Sequence, residues 1–111
     1  MGYEEIDGII GKWVEKNGLA LAASDRGEEI RCIARERFDK NGTLTEGISV
    51  LIGPFYEGKI GIWANHYAII DKNSRKKYPR MGTLHKKEFE VEKHELFAVL
   101  EEAYELANSW M

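Results

Sequence analysis

The sequence predicts a single α+β domain over residues 1–111, with an antiparallel four- to five-stranded meander sheet flanked by an N-terminal and a C-terminal helix. Three observations support this fold. Apolar residues recur at helical spacing near both ends of the chain, and the middle alternates in β-branched and aromatic stretches. The connections between these stretches are too short for the crossovers that parallel strands require. The predicted element order is α-β-β-β-β-(β)-α.

The first helix is predicted from one apolar stripe. Acidic residues lie in its first turn and Lys16 in its last, as the helix dipole favours, and the pair Asn17-Gly18 ends it. The stripe consists of Ile6, Ile9, Ile10, Trp13 and Val14. A second stripe predicts the C-terminal helix, with glutamates on its other side. That stripe consists of Leu96, Val99, Leu100, Ala103, Ala107 and Trp110.

Between the helices, turn-like sequences such as DKNG and GPFYEGK separate short segments that are rich in apolar and β-branched residues. Four successive strands are predicted at 19–24, 29–38, 43–52 and 60–70. A fifth strand at 83–91 is predicted to lie at the edge of the sheet, because lysine suits exposed edges.

Alternation with period two assigns the strand residues to two faces. The small apolar face, predicted to pack against the helices, contains Ile30, Cys32, Ala34, Phe38, Ile48, Val50, Ile52, Ile60, Ile62, Ala64, Ala68 and Ile70. The other face is predicted to combine Arg31, Arg35, Arg37, Trp63 and Tyr67 with Ile33, Leu51 and Ile69. This second face is too apolar to be an ordinary solvent-exposed surface without a binding role, and too polar to be part of the core.

Two interpretations of the second face compete. The preferred one is a protein contact, including self-association as a homodimer, because arginine and large aromatic residues are enriched at interface centres and symmetric dimers are common. In the alternative, RNA or single-stranded nucleic acid stacks its bases on Trp63 and Tyr67 while the arginines hold phosphates. A loop or the C-terminal helix lying over this face would exclude both interpretations.

A basic segment at 72–87 carries seven Lys or Arg and no acidic residue, whereas the whole chain has a formal charge of −3. We expect an exposed loop that contacts either nucleic acid or an acidic protein surface. Pairing with the acidic residues of the last helix, Glu101, Glu102 and Glu105, is the competing structural explanation. The candidate contact residues here are Lys72, Arg75, Lys76, Lys77, Tyr78 and Arg80.

Catalytic and metal-binding signatures are sparse. Cys32 is the only cysteine, which excludes an internal disulfide and favours a buried, inert thiol. The histidine spacing predicts no metal site, no phosphate-binding loop is recognised, and His66 is expected to be a hydrogen-bonded core residue. A second alternative function, phosphodiester hydrolysis, would use Asp71 and His85 with Arg75 and Tyr78.

The N-terminal segment is acidic and interrupted by charge, and no apolar run approaches the roughly 20 residues of a membrane span. We therefore expect a cytoplasmic protein with no membrane contact. The absence of glutamine and the abundance of glutamate and lysine are a compositional tendency of thermophilic proteins. Taken together, the sequence predicts a small binding protein without enzyme activity or cofactor.

Overall fold

The computed structural model describes residues 3–21, 31–70 and 80–111. Its elements are α1 (Asp7–Lys16), β1 (Arg31–Phe38), β2 (Leu44–Ile52), β3 (Ile60–Ile69), β4 (Met81–Val91), a 3₁₀ turn (Lys93–Glu95) and α2 (Leu96–Trp110). The four strands form one antiparallel sheet in the order β1-β2-β3-β4. The predicted α+β meander with a helix at each end is therefore confirmed.

Local sequence signals mark the end of α1 and the segment that leads into α2. Gly18 follows α1 with a φ of +63°, and the N–H of Leu19 donates to the carbonyl of Val14 at 2.9 Å, which closes the helix. A reciprocal capping box between Glu92 and Glu95 precedes α2.

The first predicted strand is not found in its described part. Of the segment 19–24, residues 19–21 form no strand, and the rest lies outside the described residues. The predicted edge strand at 83–91 is confirmed and is longer, because β4 already begins at Met81. The sheet of the described chain consequently has four strands.

One hydrophobic core joins both helices to one face of the sheet. Trp13 of α1 is fully buried and meets the ring of Tyr104 in α2 edge to face at 6.0 Å. The hydroxyl of Tyr3 donates to the carbonyl of Ile52 at 2.6 Å and ties the start of the chain to β2. Among the described residues, no helix is long and apolar enough to cross a membrane. The core consists of Tyr3, Ile6, Ile10, Trp13, Ile33, Ile48, Val50, Ile52, Ile60, Ile62, Ala64, Val91, Leu96, Leu100, Ala103 and Ala107.

The predicted faces of β2 and β3 are correct, but the assignment for β1 is wrong. Ile33 pairs with Val50 and is 1% exposed, so the odd-numbered residues of β1 point toward the helices. Arg31, Arg35 and Arg37 share that helix-side face. The residues expected in the core, Cys32, Ala34 and Phe38, are half-buried or exposed, and Ile30 lies outside the described residues.

A β-bulge causes this reversal. Phe38 pairs with Leu44, but Arg37 pairs with Glu46, so Thr45 is an extra residue on β2. The hydroxyl of Thr45 donates to the carbonyl of Arg37 at 3.1 Å and stabilises the irregularity. Because side chains alternate with period two, one extra residue exchanges the faces of everything beyond it.

Candidate functional site

The face of the sheet opposite the helices, here called the open face, has an uncharged centre and charged edges. Its charged residues lie on the two edge strands, with Glu36 on β1 and Lys86, Glu88 and Glu90 on β4. Neither described helix lies on this face. The residues of the two central strands on the open face are Gly47, Ser49, Leu51, Gly61, Trp63, Asn65, Tyr67 and Ile69.

Trp63 lies flat on the backbone of the sheet because its neighbours are glycines. A Cβ at Gly61 would stand 2.6 Å from the Trp63 ring, and one at Gly53 would stand 3.2 Å from it. Only glycine at these positions therefore lets the indole lie this close to the backbone of the sheet. The ring is half-buried against its own sheet and presents its other side outward.

Tyr67 repeats this arrangement at the other end of the open face. A Cβ at Gly47 would lie 2.7 Å from its ring, so the phenol also rests on a glycine. Its hydroxyl donates to the carboxylate of Glu36 at 3.3 Å. Burial, together with the Glu36 carboxylate, raises the pKa of Tyr67 above its ordinary value. The folded protein therefore holds the phenolic proton to higher pH than a free tyrosine does.

A shallow groove of about 330 Å³ lies beside Trp63 on the open face. Its apolar wall is formed by Leu51 and Trp63, and its polar wall by Asn65 and Lys86. The amide of Asn65 is within 3.4 Å of the hydroxyl of Ser49. The two aromatic rings of the open face thus lie flat, and the groove beside Trp63 has one apolar and one polar wall.

The three predicted contact arginines are held on the helix side. Arg31 forms two hydrogen bonds to Asp7 of α1, at 3.1 and 3.2 Å. Arg35 donates to the side chain of Asn108 in α2, and Arg37 pairs with Glu46 at 3.3 Å. The structure therefore separates these arginines from Trp63 and Tyr67, and the combined arginine–aromatic surface does not form.

A second constellation lies on the helix-side face, where α2 ends. His66 is 4% exposed, and its Nε2 lies 2.9 Å from a carboxylate oxygen of Glu46. Its Nδ1 lies 3.0 Å from the Nδ1 of His85, while the two ring centres are 5.3 Å apart and the rings are inclined by only 12°. The nitrogens therefore point at each other nearly in plane, which is the geometry of an N–H···N hydrogen bond rather than a face-to-face stack. His66 is the hydrogen-bonded core histidine that the sequence predicts.

His85 is exposed and belongs to the edge strand β4. The ring of Trp110, near the end of α2, lies nearly parallel to it at 5.2 Å. His85 reaches the helix-side face because of a second bulge: it pairs with His66, whereas Thr83 pairs with Tyr67, which leaves Leu84 as an extra residue.

The basic segment is only partly described. Arg80, Lys86 and Lys87 are exposed. The candidates Lys72, Arg75, Lys76, Lys77 and Tyr78, and the proposed catalytic Asp71, lie outside the described residues. Of the helix glutamates considered as their partners, Glu101 accepts a hydrogen bond from Asn17 and pairs with Lys16 at 3.2 Å. These contacts lower the pKa of Glu101 and join α1 to α2.

Several residues of these two sites are absent from the sequence-based predictions. Glu46 was not singled out, nor were Asn65 and Ser49 of the groove. Ile48 pairs with His66 across β2 and β3, and Glu46 lies two residues before Ile48 on β2. The register that follows from the β2–β3 turn therefore indicates that Glu46 lies close to His66. No comparable signal links His66 to His85, because their pairing depends on the bulge at Leu84.

One potential ligand cluster for a metal ion occurs among the described residues: Glu92, His94 and Glu95, all exposed. The two glutamates already form the capping box of α2, and Glu92 pairs with Lys59 at 3.4 Å. Helix capping therefore accounts for this cluster.

No protein-family model matches this chain, and neither a curated protein nor a solved structure is significantly similar to it.

Proposed function

We propose that this protein is an interaction module that self-associates through the open face. The observation that carries the proposal is the distribution of charge on that face, with an uncharged centre on β2 and β3 and charges only on β1 and β4. An apolar centre inside a polar rim is the usual anatomy of a protein interface. Trp63 supplies the kind of anchor that dominates binding energy in such interfaces.

The shape of the open face favours another sheet as its occupant. Because Trp63 and Tyr67 lie flat on glycines, the two largest side chains of the central strands add little height to the open face. A second sheet can then approach to about 10 Å, the distance at which sheets pack face to face. A second copy of the chain supplies such a surface.

Charge also suits two copies related by a two-fold axis parallel to the strands. This axis sets β1 of one copy against β4 of the other, so that Glu36 approaches Lys86 of the second copy. Glu88 then meets the uncharged part of β1 around Cys32 and Ala34 instead of another carboxylate.

The area of the face sets the expected affinity. Four strands spaced about 4.8 Å apart, with about eight residues rising about 3.3 Å each, cover roughly 500 Å² per copy. The total of about 1,000 Å² lies at the lower limit of specific interfaces. We therefore expect a dimer that dissociates on dilution in the micromolar range.

Light scattering after size exclusion, over a dilution series, tests the proposal. The wild-type protein should pass from dimer to monomer, Trp63→Asp should be monomeric throughout, and Tyr56→Asp, in the β2–β3 turn, should behave like wild type. Ser49→Arg is a second test variant that introduces a charge without removing an aromatic ring. A wild-type protein that is monomeric at about millimolar concentration would refute the proposal.

Nucleic-acid binding is the other outcome to be distinguished. It is disfavoured on the open face, since the three arginines lie on the opposite side and three of the four charges there are acidic. Binding of single-stranded RNA that weakens steeply with salt and requires Trp63 would overturn the proposal in favour of that function.

A further inference from the structure

The hydrogen bonds around His66 determine where its protons lie. An ionised carboxylate only accepts hydrogen bonds, so the Nε2 of His66 must carry the proton shared with Glu46. The Nδ1 of a neutral His66 then accepts, and the hydrogen bond of 3.0 Å requires a proton on the Nδ1 of His85. The Nε2 of neutral His85 consequently retains its lone pair. This atom has no hydrogen-bond partner among the described residues, and His85 is exposed.

The resulting chain has three groups in the order nucleophile, base and orienting carboxylate. His85 carries a proton that His66 is placed to receive, and Glu46 fixes the orientation of His66 and stabilises the positive charge that it would gain. This is the geometric pattern that activates nucleophiles in covalent catalysis. We infer that Nε2 of His85 is a nucleophile for acyl groups, with His66 as its base and Glu46 as the positioning residue.

The reaction assigned to this site is hydrolysis of an activated ester. Nε2 of His85 attacks the carbonyl carbon, an N–C bond forms, and the ester C–O bond breaks to release an alkoxide. As the attack proceeds, the Nδ1 proton of His85 moves to Nδ1 of His66, which leaves a neutral acyl-imidazole. The alkoxide takes a proton from a solvent water, and the hydroxide formed cleaves the acyl-imidazole to a carboxylic acid. The proton on His66 returns to Nδ1 of His85, which regenerates the free histidine.

An apolar acyl group is the substrate class that fits the surroundings. The indole of Trp110 lies nearly parallel to the His85 ring at 5.2 Å and provides an apolar surface beside the nucleophile. A chelated metal ion fits less well, because the two Nδ1 atoms point at each other across a shared proton. The site is on the opposite side of the sheet from the open face, so it stands independently of self-association.

Two reagents test the inference on the whole chain. Diethyl pyrocarbonate modifies histidine nitrogens, and peptide mapping compares His85 with the exposed His94 inside the same molecule. We expect His85 to react at least about tenfold faster, a modest part of what a positioned base contributes. p-Nitrophenyl acetate should be hydrolysed by wild type and by His94→Gln, but not above background by His85→Gln. Equal reactivity of His85 and His94, or unchanged hydrolysis in His85→Gln, overturns the inference.

Two conservative variants separate the base from a purely structural role. In His66→Asn the amide oxygen still accepts a hydrogen bond from His85 but takes up no proton, and Glu46→Gln keeps an acceptor without the charge. In folded variants, checked by circular dichroism, the reactivity of His85 should fall to that of His94. Retention of the faster rate in either folded variant contradicts the assignment. Where a variant does not fold, the ratio of the modification rates of His85 and His94 in the wild-type protein decides whether the inference holds.

Discussion

Arg35 and Trp63 lie on opposite faces of the sheet. Arg35 reaches along the helix side to the side chain of Asn108, whereas Trp63 rests on Gly61 on the open face. Every contact proposed for the open face therefore has to be explained without arginine. The substitution Arg35→Glu should leave the monomer–dimer equilibrium unchanged, while Trp63→Asp abolishes the dimer. Light scattering on both variants measures this difference, and a monomeric Arg35→Glu would contradict the proposed interface.

The reversed face of β1 makes a direct prediction about stability. Ile33 is 1% exposed, so Ile33→Asn should lower the free energy of unfolding by about 2–5 kcal/mol, because it leaves a void and buries an amide. Ala34 is exposed, and Ala34→Asn should change the free energy by only about 0.5 kcal/mol. Urea unfolding of both variants measures the two values. The opposite ranking would restore the face assignment made from alternation alone.

The glycine beneath Trp63 should be sensitive to a single methyl group. In Gly61→Ala the new Cβ would stand 2.6 Å from the indole, so the ring must lift or the backbone must shift, at a cost of about 1–3 kcal/mol. Gly11 in α1 offers a matched control, since a Cβ there meets nothing within 4 Å. Gly11→Ala should stabilise the protein by about 0.5–1 kcal/mol through its higher helix propensity.

The same substitution also tests the interface. A tilted indole would project from the open face, so Gly61→Ala should weaken the dimer even where the monomer remains folded. Thermal unfolding and light scattering give the two readouts separately. An unchanged dimer in folded Gly61→Ala would show that the flat ring is not required.

The phenol of Tyr67 predicts a loss of stability at alkaline pH. Its pKa is raised in the folded state by burial and by Glu36, so the folded chain holds this proton to higher pH than the unfolded chain does. The raised pKa of Tyr67 contributes its full stabilisation below about pH 10, the ordinary pKa of tyrosine. This contribution is lost as the pH rises from there through the raised pKa. Tyr67→Phe should therefore lose less stability above about pH 10 than wild type does.

Denaturant unfolding across this pH range measures the effect, and the ultraviolet absorbance of the phenolate reports the titration itself. Tyr56→Phe is the control, because Tyr56 is exposed in the β2–β3 turn. Equal alkaline slopes for wild type and Tyr67→Phe would show that neither burial nor Glu36 raises the pKa of Tyr67 in the folded protein.

The sequence by itself determined the elements that depend on local signals. Helical stripes and the Asn17-Gly18 stop predicted both helices, and β-branched alternation predicted β2, β3 and β4 to within a few residues. Residues 19–21 of the segment 19–24 were misassigned, because a short apolar run has no periodicity of its own that distinguishes a strand from a connection. The open-face positions of Trp63 and Tyr67 were also predicted correctly, since β2 and β3 are central strands with one plainly apolar side.

Only the tertiary structure decided which side of β1 faces the core and which histidines meet. Alternation separates the two sides of a strand, but it does not say which side is buried when one carries Ile33 among arginines and the other carries Cys32 and Ala34. Bulges at Thr45 and Leu84 settle both questions, because each extra residue exchanges the faces beyond it. On an edge strand, long arginine side chains can run past the core to polar partners, so the side that looks charged in sequence is the side that is packed.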